Sequence, residues 1–92
     1  MKKNIVELIK KKLDVYHINI EDLTKNHINH KHYDGGGHYK MIVVSNDFKN
    51  YSLLKRHQLI YKVLNAMIKK EIHALSLKTL TVNEYNDKKE AR

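Results

Sequence analysis

The sequence predicts an α+β domain in which three strands make a mixed sheet and helices cover one face. Three observations carry that expectation. Apolar residues recur at helical spacing over residues 4–13 and again after Ser52. Residues 15–23 alternate, and 39–45 and 72–80 are strand-like apolar runs. The second and third of these strands flank a helix, so they should pair in parallel through a right-handed crossover. The resulting order is αββ, then α, then βα.

The first helix rests on Ile5, Leu8, Ile9 and Leu13, which share one face. In the first strand Tyr16, Ile18 and Ile20 oppose His17, Asn19 and Glu21, which predicts a half-buried strand. Residues 24–37 are polar and end in Gly35-Gly36-Gly37, the only glycines of the chain, so they read as a mobile loop. Tyr39–Ser45 is a more buried strand, and Asn46–Tyr51 a turn. Ser52 is suited to cap a long helix from Leu53 to Lys70. On that helix Leu53, His57, Ile60, Leu64, Met67 and Ile68 share an arc opposite Lys55, Lys62 and Lys69, while Leu59 falls toward the polar side. Thr81-Val-Asn-Glu84 is a capping-box pattern that opens a short helix through Tyr85, with residues 86–92 expected to fray. Residues 1–92 therefore read as a single domain.

Composition narrows the function. Of a net charge of +8, six positive charges lie between Phe48 and Lys70 (Lys49, Lys55, Arg56, Lys62, Lys69 and Lys70), where there is no Asp or Glu. Such a segment is either a surface for an acidic partner or a solvated helix face. No apolar run reaches the roughly 20 residues of a membrane span, and Glu7 and Lys10–Lys12 interrupt any secretory apolar core. A chain without cysteine has no disulfide, no thiolate nucleophile and no thiolate ligand, so a metal would be held by His, Asp, Glu or a partner's groups. Absence of cysteine suits a reducing compartment, cytoplasmic or organellar. No Ser/His/Asp ordering, phosphate-cradling glycine motif or paired carboxylate supports catalysis, and the expectation is a non-enzyme.

Phe48-Lys-Asn50, Arg56-His57-Gln-Leu-Ile60-Tyr61, Ile72-His73-Ala74-Leu75 and His38-Tyr39-Lys40 running into Met41–Ser45 closely resemble the signature of the BolA family. The resemblance extends from the first helix to Tyr85. It implies an αββααβ(α) fold like the class II KH domain. It also implies two roles: partnering a monothiol glutaredoxin across a bridging [2Fe–2S] cluster, and regulating transcription by binding DNA. The chain departs from the family at Asn50, where Gly is usual; Asn is the residue that best replaces Gly in a left-handed turn. A second departure is the loop, which is rich in histidine and has no cysteine, as in the His-loop subgroup.

By that resemblance His73 is a cluster ligand, and a loop histidine is the other: His30 or His32, with His27 the next candidate. Neutral imidazoles replace thiolates on one iron in Rieske-type centres, while the partner's cysteine and glutathione would hold the other iron. The chain alone would be a monomer without cofactor or membrane. Because free histidine protonates near pH 6, a cluster so held should be lost in mild acid. Read without the family, His73 shares strand parity with Leu75 and Leu77 and so suits a core position, and His57 suits a hydrogen-bonded core role. His38 shares the histidine-rich stretch but receives no assignment. Lys55, Arg56, Leu59, Lys62 and Lys69 are the candidate partner or nucleic-acid contacts, although the Gly-x-x-Gly clamp of RNA-binding KH domains is missing.

Overall fold

A computed structural model describes residues 2–24, 37–68 and 70–90. The order is α1 (Lys2–Lys12), β1 (Val15–Asp22), β2 (Gly37–Ser45), a 3₁₀ turn (Asn46–Phe48), α2 (Leu53–Val63), β3 (Ile72–Leu80) and α3 (Val82–Glu90). The sheet order is β1-β2-β3, with β2 antiparallel to β1 and parallel to β3, the mixed sheet that the pattern predicts.

The core lies between α1, α2 and one face of the sheet. Ile5 and Ile9 of α1, Ile60 and Leu64 at α2, Met41 and Val43 of β2, Phe48 and Ile72 are all nearly or fully buried. Complete burial of such a side chain is worth roughly 1.5–3 kcal/mol, so this one layer supplies most of the driving force. Val44, next to Val43 and therefore on the reverse face, is also fully buried, and α3 contacts β2 and β3.

The joints are polar. Ser45 Oγ donates to the Asp14 carbonyl at 2.8 Å and accepts from Asp47 N–H, while Asp14 N–H donates to the Asp47 carboxylate. These bonds hold the exit from α1 against the end of β2. Asn50 has a φ of 66°, the left-handed conformation its substitution for glycine has to satisfy. Ser52 caps α2 by accepting from Lys55 N–H at 3.2 Å. At α3, Thr81 N–H donates to Glu84 Oε1 and Glu84 N–H to Thr81 Oγ1, a complete capping box.

Four details differ from the periodicity. Helix α2 stops at Val63 instead of Lys70, and the chain turns so that Ile72 N–H reaches the Met67 carbonyl and enters the sheet beside Gly37. At 1.5 Å per residue, seven more helical residues would lengthen α2 by about 10 Å and use up the residues that make this turn. Helix α3 continues to Glu90 rather than fraying from residue 86. Leu53, expected on the buried arc, is 64% exposed, whereas Leu59, expected on the polar side, is half-buried against the core. Tyr16 is exposed, because a register shift between Val15 and His17 gives β1 one extra residue there and reverses its facing.

Candidate functional site

The site is built by a second register shift. Gly37 pairs with Ile72, but the next residue, His38, pairs with Ala74, so His73 is one residue more than β2 can match. A bulge of this kind turns the extra side chain out of the alternation. Ile72 before it is buried and Leu75 after it faces the core, yet His73 is exposed. The core position that strand parity allows for His73 is thereby excluded.

His38, half-buried on β2, stands beside it. The two imidazoles have centroids 4.9 Å apart and planes inclined by 42°. The backbone of His38 is pinned on both sides: its N–H donates to Thr24 Oγ1 at 3.2 Å, and its carbonyl accepts from Leu23 N–H at 2.7 Å. Gly37 N–H donates to the Glu71 carbonyl, which joins the start of β2 to the start of β3. A Cβ at residue 37 would lie 2.4 Å from Cε2 of the buried Tyr39 ring, so any larger residue there forces that ring to move. A shallow, mostly apolar hollow of about 270 Å³, lined by Leu23, His38, Tyr39, Ala74, Leu75 and Ser76, adjoins the pair.

The loop candidates His27, His30 and His32 lie outside the described residues, as does Lys69. Among the described residues, no three His, Asp or Glu side chains gather as a metal-binding group. The structure instead brings together His73 and His38, a residue the sequence reading left unassigned. The signal for it was present: His38 follows Gly37 directly into β2, and parallel pairing brings the starts of β2 and β3 together.

On α2 the candidates divide. Lys55 and Lys62 are exposed and Leu59 is half-buried. Arg56 is 7% exposed and turned inward, which corrects its reading as a surface contact. Its Nε donates to the Tyr51 carbonyl at 3.0 Å, Nη1 to the Thr79 carbonyl and to Glu84 Oε1, and Nη2 to Glu84 Oε2. It stands one turn before Ile60 on the core side, so its guanidinium joins α2, β3 and α3 and cannot also serve a phosphate. The Arg56 hydrogen bond, and after it the one from Thr81 N–H, holds the Glu84 carboxyl below its ordinary value. His57 is half-buried on the same helix. At the other end of the sheet Tyr85 stacks on His17 at 5.1 Å and meets Tyr16 edge-on at 6.2 Å, an aromatic cluster without an assigned role in the sequence reading.

The family model of BolA-like proteins matches residues 9–84. The chain belongs to the BolA family. It is 35% identical over 86 residues to a BolA protein of Haemophilus influenzae named a DNA-binding transcriptional regulator, a match covering 94% of this chain and 82% of that protein. The BolA domain of SufE1 from Arabidopsis thaliana superposes with a TM-score of 0.78 at 35% identity, covering 89% of this chain and 92% of that domain. BolA1 from the same plant superposes with a TM-score of 0.76 at 30% identity, covering the same shares. The BolA fold thus accounts for the mixed sheet and the three helices. No helix among the described residues is long and apolar enough to cross a membrane.

Proposed function

We propose that this BolA-family chain is a non-enzymatic adaptor that binds a monothiol glutaredoxin and shares a bridging [2Fe–2S] cluster with it, in iron–sulfur and iron homeostasis. The observation that carries the reading is the His38–His73 pair, one imidazole turned outward by a bulge and the other held beside it by the backbone of β2. The donor set fits such a group. Neutral imidazoles are ligands that iron accepts in place of thiolate, and here two of them are neighbours, with centroids 4.9 Å apart. Bound there, the cluster would supply redox-active iron with imidazole on one side, as in Rieske-type centres.

The chain's own part is positional. The exposed His73 offers its ring to a group brought by another protein, and the Leu23–Leu75 hollow beside it gives that protein an apolar seat. His38 supplies the second ring from the start of β2, with His30, His32 and His27 as the alternative donors. Glutathione and cysteine would come from the partner. Incubating the chain with a monothiol glutaredoxin, with and without iron and glutathione, tests the reading by size exclusion. A heteromeric species carrying visible absorbance, formed only with iron and glutathione, supports it; separate elution under every condition contradicts it.

A DNA-binding role is the second reading, favoured by the name of the Haemophilus relative and by the exposure of Lys49, Lys55 and Lys62. Gel shifts at increasing salt separate sequence-dependent binding from phosphate attraction alone. The inward turn of Arg56 removes one cation from that surface.

A further inference from the structure

We propose that the solvent face of α2 is a docking surface for an acidic protein segment with apolar anchors, separate from the imidazole pair. Tyr51, Leu53, Leu54 and Tyr61 are 43%, 64%, 68% and 39% exposed. Scattered exposed leucines are ordinary, but four large apolar side chains exposed on one helix and its approach are more than scatter accounts for. Leu54 and Tyr61 are seven residues apart and so lie in one row along the helix. Lys55 and Lys62, also seven apart and exposed, make a second row about 100° round the helix.

Charge selects the occupant. No Asp or Glu occurs between Phe48 and Lys70; of the carboxylates around that stretch, Glu71 follows it, Asp47 before it accepts from Asp14 N–H, and Glu84 is committed to Arg56. Among the described residues no carboxylate pairs with Lys55 or Lys62, so this face is net positive. A second copy would bring lysine against lysine. A nucleic-acid backbone would match the lysines but leave Leu54 and Tyr61 in water, whereas an acidic amphipathic helix satisfies both rows. The two sites can be used together. Two residues on from Leu54, Arg56 reaches Thr79 near the end of β3, and His73 opens that strand roughly 20 Å away along it.

The test titrates the full chain with a synthetic helical peptide of about 20 residues, with leucine in one row and glutamate in the flanking rows, and reads backbone amide shifts. Expected are shifts at Leu54, Lys55, Tyr61 and Lys62, with binding weakened by about tenfold or more in both the Leu54→Ser/Tyr61→Ser and the Lys55→Glu/Lys62→Glu chains. His73→Ala should bind the peptide as wild type does, which keeps this proposal independent of the cluster reading. Equal binding of a scrambled peptide of the same composition would reduce the surface to charge attraction and overturn the proposal. So would duplex DNA or anionic phospholipid vesicles that move the same amides at lower concentration, or self-association through them.

Discussion

Nη1 of Arg56 lies 2.7 Å from Oε1 of Glu84, so a side chain of α2 holds the first turn of α3. The same carboxylate closes the Thr81 capping box, which means one residue serves both the helix start and the joint between elements. Arg56→Ala removes the Arg56 donors to the Thr79 and Tyr51 carbonyls and leaves the Glu84 carboxylate only its bond from Thr81 N–H. The expected loss is about 2 kcal/mol, moderated because Glu84 is 45% exposed. Arg56→Lys should recover only part of it, since an ammonium lacks the two-pronged geometry. Urea unfolding of the three chains measures both effects.

The same pair sets a pH dependence. The Glu84 carboxyl is held below its ordinary value of 4.5, so the native state gives up this proton more readily than the unfolded chain. Its contribution is therefore fully present above that value and is lost as pH falls through the lower folded value. Melting temperatures of wild type and Glu84→Gln should differ at neutral pH and converge in acid below about pH 4.5. A gap that stays constant to the lowest pH at which both chains fold would contradict the assignment.

Asn50 occupies the left-handed region at φ 66°. Asn50→Gly should raise stability by about 0.5–1 kcal/mol, and Asn50→Val should lower it by more, because a branched Cβ crowds the carbonyl in that conformation. Thermal unfolding of the two variants provides the comparison, and the opposite order would exclude a conformational origin.

At Gly37 the constraint is space. A methyl group would meet the Tyr39 ring at 2.4–2.7 Å, and Tyr39 is itself buried. Gly37→Ala should cost about 1–3 kcal/mol and move the amide signals of His38 and His73, as the buried ring is displaced at the start of β2 beside β3. An unchanged spectrum would show that the ring has room to turn.

Much of this architecture was legible in the sequence because its signals are local. Ser52, the Thr81–Glu84 box and the alternation at Ile18 and Ile20 each act within a few residues, and the structure contains all three. The misses depend on contacts between distant segments. Nothing near Arg56 announces that Thr79 and Glu84 wait on the inner side of α2. The end of α2 at Val63 is set by where Ile72 enters the sheet. Most instructive are the two bulges, at Tyr16 and at His73, where alternation predicted the facing of Tyr16 wrongly and allowed His73 a place in the core. A register shift exists only between paired strands, so neither strand alone reveals it. The proposed role of His73 rests on the family resemblance; the structure adds that a bulge turns this side chain out of the core.

The central claim is that His73 carries the shared iron. Visible circular dichroism of the chain mixed with cluster-loaded monothiol glutaredoxin, set beside His73→Ala and His38→Ala, tests it most directly. The account predicts a spectral change on mixing with wild type, its loss in His73→Ala, and an altered or weakened change in His38→Ala. A His73→Ala mixture with the wild-type spectrum would contradict it.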